Sequence, residues 1–399
     1  MLNVSKLRKD FPALSVKESL IYMDSACMAL KPVQVIDKLN EYYSSYPGCA
    51  GRSSHQFSEK VEVGVLESRE AIRKLIGGAD SNEIVFTKNT TEGINLVANS
   101  FGLKKGDTVV LSDKEHNSNL IPWLKLAQSG VIVKQVKSAK DNTFDLAAFE
   151  KIMDDSVKLV SVVGTSNLDG VTNPIREISS VVHKHGAALH VDGAQLVPGH
   201  PVDVRKLDVD FLTYSGHKAL GPTGTGVLYG KMEALERLDT FMVGGETVQW
   251  STYDDYKLEE IPARFEAGLQ HYAGIIGLGA ATTYLSKIGL SNVEKHETLL
   301  NEKLSAGIAD LGLSIIGPSA AQRSGICSFM VDGMAPNDVA IMLDKSANIM
   351  VRSGVHCVHS WFTSRGLKNG SVRASMYVYN TLEEVDRFLE EMKHVLKMR

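Results

Sequence analysis

Apolar and polar positions along this chain follow two rhythms. Short apolar runs recur from residue 83 to residue 230: EIVFT (83–87), TVVLS (108–112), VIVKQV (131–136), LVSVVG (159–164), ALHVD (188–192), VDFLTYS (209–215) and GVLYG (226–230). Each is too short for a helix and largely apolar, which predicts a strand. Between them, apolar residues return every three or four positions at 91–103, 119–130, 144–153 and 175–186, and the second stretch keeps that spacing across Pro122. Those stretches predict helices. Apolar strands alternating with amphipathic helices define an α/β class, a mainly parallel seven-stranded sheet covered on both faces.

The rhythm changes after about residue 260. Two long helical patterns occupy 271–289 and 292–312, short strands follow near 313–316, 326–331 and 349–352, and 381–398 reads as a final amphipathic helix. Thr381 and Glu384 stand at the spacing of a capping box for that helix. This predicts a large domain at 21–289 and a smaller α+β domain at 290–399, with 1–20 packed on the smaller one.

Composition narrows the class without naming a function. At 399 residues, 43% hydrophobic and 23% charged, the chain is neither disordered, collagenous nor a coiled coil. The 43 basic residues against 47 acidic ones leave a formal charge of −4, so no basic surplus points to nucleic acid. No apolar run approaches the ~18 residues of a membrane span, and the polar MLNVSKLRKDFPAL start does not read as a signal peptide. Cys27, Cys49, Cys327 and Cys357 include no CxxC pair. That argues against a zinc ribbon or other metal site and for reduced thiols in a cytoplasmic protein.

The chemistry gathers at strand ends, where parallel sheets bind ligands. Lys218 follows the apolar run 209–215 within TYSGHKALGPTGTG. Read as extended chain, Ser215 and His217 share a side and face a phosphate, while Lys218 faces inward. ALHV runs straight into Asp192, a carboxylate that a buried strand end tolerates only against a cation or proton. Asn89-Thr90-Thr91-Glu92-Gly93 opens a helix, and hydroxyls with backbone N–H groups there form an anion site. His116 follows TVVLS and can stack on a ring. Lysine, carboxylate and anion site are together the parts that hold pyridoxal 5′-phosphate. GPTGTG lacks the Lys-Ser/Thr ending of a P-loop.

With YMDSA (22–26), NTTEGINLVANS (89–100), EHNSNLIPW (115–123), TSNLDGVTNPI (165–175), VDGAQ (191–195), RFEAG (264–268) and RASMYVYNTLEEVDRF (373–388), the chain resembles the cysteine desulfurases and selenocysteine lyases of the class V aminotransferase group, in their Suf-type branch. The resemblance implies the fold-type I arrangement of pyridoxal-phosphate enzymes, a homodimer, and conversion of L-cysteine (or selenocysteine) to alanine. Its sulfur would leave as an enzyme persulfide for an acceptor or iron–sulfur scaffold protein. It implies Lys218 as Schiff-base lysine, Asp192 as partner of the pyridine nitrogen, Gln195 beside the phenolic oxygen and His116 stacked on the ring. Thr91, Ser215 and His217 match phosphate ligands, with Thr90 beside them, and Asn167 and Arg373 match groups near the substrate carboxylate. Arg352 and Cys357 lie in VRSGVHC (351–357), which is similar to the loop of the sulfur-accepting cysteine, a loop read here as able to move.

Three positions depart from that pattern. Leu269 replaces a threonine donated to the neighbouring subunit's phosphate, Val355-His356 replaces a pair of histidines, and Cys27 replaces a small alanine. Competing readings are another class V lyase, epimerase or aminotransferase, or a non-catalytic partner-binding relative. Intact Lys218, Asp192 and Arg373 argue against the last.

Overall fold

The structure, a computed structural model, describes residues 2–17 and 19–398. Its large sheet has seven strands: β1 (Ile84–Thr87), β2 (Thr108–Ser112), β3 (Ile132–Val136), β4 (Val157–Val163), β5 (Ala188–Asp192), β6 (Phe211–Ser215) and β7 (Gly226–Gly230). They lie in the order β1-β7-β6-β5-β4-β2-β3. All pairings among β2 to β6 are parallel. β7 is antiparallel to both β6 and β1. The strand carrying Ser215 is fully buried and the one carrying Asp192 is buried from Leu189 on, as continuous apolar runs require when helices cover both faces.

The helices between strands start where the sequence supplies caps. Asn89 accepts the Glu92 N–H at 3.0 Å and starts Thr90–Ser100; His116 accepts the Ser118 N–H at 3.0 Å and starts Asn117–Ala127. Pro122 removes one hydrogen bond from the latter, which is held to the sheet by buried Leu120 and Trp123. Tyr272–Ile288 is buried on nearly every side, and Val33–Ser45 and Gln56–Ile76 pack against it. The apolar pattern did not announce those two helices. Gln56–Ile76 turns Ser58, Ser68 and Arg69 inward alongside Val61, Ile72 and Ile76, so its apolar stripe is broken.

The small sheet is antiparallel: β8 (Ser314–Ile316), β9 (Ile326–Met330), β10 (Arg352–Gly354) and β11 (Ser371–Ser375), in the order β8-β9-β11-β10. Leu290–Asp310, Pro336–Ala347 and Leu382–Lys397 cover it. The last opens on the Thr381/Glu384 capping box.

Two local expectations are corrected. The extended run does not continue to residue 217: β6 stops at Ser215, and Gly216–Lys218 forms one tight 3₁₀ turn. Gly216 donates to the Thr225 carbonyl at 2.8 Å while its own carbonyl takes the N–H groups of Ala219 and Gly221, so Ser215 and His217 are not placed by strand alternation. The strand near 349–352 is two strands. Ile349–Met350 pairs in parallel with Ile21–Tyr22, and the chain then turns so that β10 pairs with β11.

The chain crosses between two hydrophobic cores more often than a division at 20/21 and 289/290 implies. Phe11 and Val35 belong to the large core, whereas Ile21 and Met23 belong to the small one. Leu290 and Val293 remain with the large core, and Tyr377, Val378 and Tyr379 return to it from the small sheet. Phe11 stacks edge-on against both Tyr284 and Tyr379, at centroid distances of 6.1 and 4.9 Å.

Candidate active site

The carboxyl ends of β4, β5 and β6 open into a cleft of about 260 Å³ that the small sheet closes from the other side. On its floor, Val163 and Asp192 stand side by side in register, with Thr213 next to Asp192 on the following strand. Asp192 is 2% exposed and accepts the Ala194 N–H at 3.0 Å. Burial pushes its carboxyl above the usual range, against the opposing pull of Lys218. Lys218, half-buried on its tight turn, is affected in the reverse sense: desolvation lowers its ammonium and the Asp192 charge raises it. A lysine and a carboxylate of this kind, each perturbed and facing one cleft, mark a functional centre.

Hydroxyls and backbone amides gather at one end. Thr90 donates its N–H to Ser215 Oγ at 2.9 Å, and the two hydroxyls lie 2.7 Å apart; Thr91 Oγ1 meets Ser118 Oγ at 2.7 Å. The start of Thr90–Ser100 reaches β7 because residue 226 is glycine: a Cβ there would lie 2.5 to 2.8 Å from the Asn89 backbone. His217 lines the same end, lowered to about 4 by burial first and Lys218 second. His116 is lowered to about 3, mainly by burial and then by Lys218, so it enters the cleft as a neutral ring. Gln195 donates to the Ala26 carbonyl at 2.7 Å.

Two arginines mark the opposite end. Arg352 and Arg373 face each other across β10 and β11. Arg373, 2% exposed, donates to the Asn167 carbonyl at 2.9 Å and to Asp24 Oδ1 at 3.2 Å. One carboxylate against two guanidinium groups leaves a positive wall suited to an anion. Arg373 Nε, Asn167 Oδ1 and His356 Nδ1 are buried without a hydrogen-bond partner, so the cleft is built for a polar occupant.

Cys357 also lines the cleft. The segment read as a movable loop is hydrogen-bonded on several sides in this structure. Cys357 O accepts the Asn117 N–H at 2.8 Å, His356 O accepts from Asn167 Nδ2 at 2.7 Å, and His356 Nε2 meets Ser371 Oγ at 2.9 Å. His356 and Cys357 both hold left-handed backbone, φ 49° and 60°, the kind of strain that surrounding contacts must fix. His356 is lowered to about 2 by burial and then by the two arginines, and is neutral. Cys27 Sγ lies 2.8 Å from Arg352 and also lines the cleft. Cys327 is buried in β9 and Cys49 packs beside Tyr46 in a separate apolar cluster.

All twelve residues singled out in the sequence line this one cleft. Sequence reading missed Asp24, Ser118 and Glu115. Ser118 and Glu115 flank His116 in the EHNSN motif, where a signal was available; Glu115 is fully buried and ties Ser112, Asn119 and Val163 together. Asp24 lies in the YMDSA motif, but nothing local showed its role, because its partner Arg373 is 349 positions away.

The arrangement defines a class before any comparison: an α/β enzyme that works through a lysine amine set against a buried carboxylate. The family described as Aminotransferase class-V matches residues 21–388, and the chain belongs to it. It is 36% identical to a cysteine desulfurase of Haloferax volcanii over 98% of this chain and 96% of that protein. The apo structure of a cysteine desulfurase from Thermococcus onnurineus NA1 superposes with a TM-score of 0.95 at 38% identity, covering 100% of this chain and 99% of that one. The S-sulfonic acid form of the cysteine desulfurase CsdA from Escherichia coli gives 0.93 at 30% identity, covering 100% and 99%.

Proposed function

We propose that this protein is a pyridoxal 5′-phosphate-dependent cysteine desulfurase. One observation carries the reading: Lys218, Asp192, Arg373 and Cys357, far apart in sequence, meet in a single cleft. When bound, the cofactor supplies an electron sink that acidifies the substrate's α-carbon. The residues fit it: Asp192 retains a proton on a ring nitrogen, His116 offers a neutral ring face, and Gln195 a side-chain amide. Thr90, Thr91, Ser215 and His217 offer donors for a phosphate at a helix start.

The substrate's carboxylate is held by Arg373 and Arg352, with Asn167 beside them. Lys218, its basicity reduced by burial, takes the α-proton and later returns it. Cys357 Sγ takes the substrate sulfur, so that L-cysteine and a thiol become L-alanine and a persulfide, with atoms balanced. The same site would process selenocysteine. The persulfide then passes to an acceptor or iron–sulfur scaffold protein, in the cytoplasm. Among the described residues no helix is long and apolar enough to cross a membrane.

The working form is a homodimer. Phe241, Met242, Val243, Trp250, Tyr253 and Tyr256 are exposed together with Leu269, which is 70% exposed. They form one surface, because Gly268 bonds to Gly245 and Glu259 to Thr247 at the base of the Val248–Ser251/Tyr256–Leu258 hairpin. An apolar patch of this kind marks an interface. Leu269 brings no hydroxyl to a neighbour's phosphate, which leaves that contact to Thr90, Thr91, Ser215 and His217. The deciding experiment incubates the cofactor-loaded protein with L-cysteine and reductant. Alanine and sulfide in equal amounts are expected; pyruvate, racemised product or no turnover would assign it to another class V activity.

A further inference from the structure

Behind Lys218, on the side away from the main cleft, lies a second cavity of about 20 Å³ lined by Ser25, Gln195, Lys218, Glu297, Ser324 and Tyr377. It is polar and large enough for one water molecule. Glu297 comes from the middle of Leu290–Asp310 and is 6% exposed. Among the described residues it accepts one hydrogen bond, from Gly325 N–H to Oε2 at 3.1 Å, and Oε1 accepts none. A buried carboxyl so poorly satisfied is disfavoured as a bare charge, and a site that keeps one calls for an explanation.

The surroundings have been cleared for this carboxyl. A Cβ at residue 199 would lie 3.1 Å from Glu297 Oε2, and a Cβ at residue 325 would lie 3.1 Å from its Cγ, and both positions are glycine. The titratable groups facing it are His200 from the turn after Leu196–Gly199, Glu294 one turn back on its own helix, and Tyr377 and Tyr379 from the segment after β11. Glu294 is occupied by His200 Nδ1 at 2.9 Å, and Tyr377 donates to the Pro198 carbonyl at 2.8 Å. Tyr379 shares a hydrogen bond with Ser25, at 2.7 Å. His200 is engaged on both ring nitrogens, by Glu294 and by Thr172 Oγ1 at 3.4 Å, which leaves Lys218, lining the same cavity, as the proton partner for Glu297. Burial raises Glu297 to about 7, midway between bound and released near neutrality.

We propose that Glu297 is a proton-relay residue for Lys218, exchanging protons with its amine through one water in this cavity. The inference rests on the desulfurase reading above. Converting cysteine to alanine turns a CH2 into a CH3. Beyond the α-proton that Lys218 removes and returns, one further proton must reach the β-carbon. Substrate fills the cleft side of Lys218, so that proton comes from the cavity side. Glu297 gives it up through the water and Lys218 and regains it as the thiols ionise, so no external oxidant or reductant is needed.

The test uses the cofactor-loaded enzyme and Glu297→Gln, which keeps shape and removes the exchangeable acid. With α-deuterated L-cysteine in ordinary water, the alanine made by wild type should lose most of its label. The variant should retain several-fold more label and lose the wild-type inflection near pH 7 in kcat, with cofactor absorbance unchanged. Equal label loss and an unchanged pH profile would overturn the relay. A second measurement needs no turnover: the infrared band of a protonated carboxyl that Glu297→Gln removes, and that is thereby told apart from Glu115, should titrate near pH 7 in the wild type and shift in Lys218→Ala. Absence of the band, or indifference to Lys218→Ala, would also overturn it. A wild type that makes no alanine while the band responds to Lys218→Ala removes the desulfurase reading and leaves the Glu297–Lys218 coupling standing.

Discussion

At the scale of single residues, the proposed mechanism separates a sulfur acceptor from the proton chemistry. Cys357→Ser should bind cofactor and show the wild type's spectral response to cysteine, yet form no persulfide; mass spectrometry after cysteine and alkylation should find the extra sulfur on Cys357 in wild type. Sulfur found on Cys27 instead would reassign the nucleophile, since Cys27 shares the cleft and touches Arg352. Lys218→Ala should abolish borohydride-trapped cofactor and reduce turnover by about 10²–10⁴-fold or more, the usual effect of removing a positioned acid–base group. These residues were legible in sequence because each stands in a short motif at a strand end. Asp24 and Glu297 were not. Their roles depend on partners brought in by the fold, and an acidic residue within a helical pattern reads as a solvated face until the packing is known.

At the scale of elements, the anion site depends on how closely a helix start approaches a strand. Gly226 passes so near the Asn89 backbone that an added methyl must displace it. Gly226→Ala should cost about 1–3 kcal/mol, as overpacking does, and should weaken cofactor retention by moving Thr90 away from Ser215. Thermal melting and cofactor titration check the two effects separately. The strands were read correctly because covered parallel strands are apolar throughout, whereas the turn at Gly216–Lys218 was misread as extended. Nothing in SGHK states that Gly216 will bond to Thr225 across the loop, and that bond decides the conformation.

At the scale of the whole molecule, buried titratable groups set the pH range of stability. In the cofactor-free protein, burial lowers His116 and His190 to about 3, His217 to about 4 and His356 to about 2. An unfolded chain protonates histidine near ~6.5, so their contribution is present above that pH and is lost as pH falls toward the folded values. Glu115 and Glu297, both raised to about 7 by burial, act in the opposite direction. Their contribution is present below the unfolded value of ~4.3 and is lost as pH rises through 7. Four groups against two leave a net rise, so melting temperature should climb from pH 5 to about 6.5, and Lys31, lowered to about 7 by burial, adds stability again as pH rises from 7 toward its unfolded value of ~10.4. A Tm falling between pH 5 and 6.5 would contradict the assignment of the four buried neutral histidines. Light scattering should report a dimer for the wild type and a monomer for the double variant Trp250→Glu, Tyr253→Glu.

The repeated crossing of the chain between its two cores has a kinetic consequence. Phe11 is wedged between Tyr284 and Tyr379, and the Ile21–Tyr22 strand is stitched to Ile349–Met350. Halves joined in this way cannot part like a hinge without unstacking rings from a dry interior, although free rotation is what lightly connected domains ordinarily allow. Such packing favours a cleft mouth of nearly fixed width. With a mouth of that kind, selection by size would fall on entry rather than on closure, and a recipient of the proposed persulfide would have to bring its own reactive group inside.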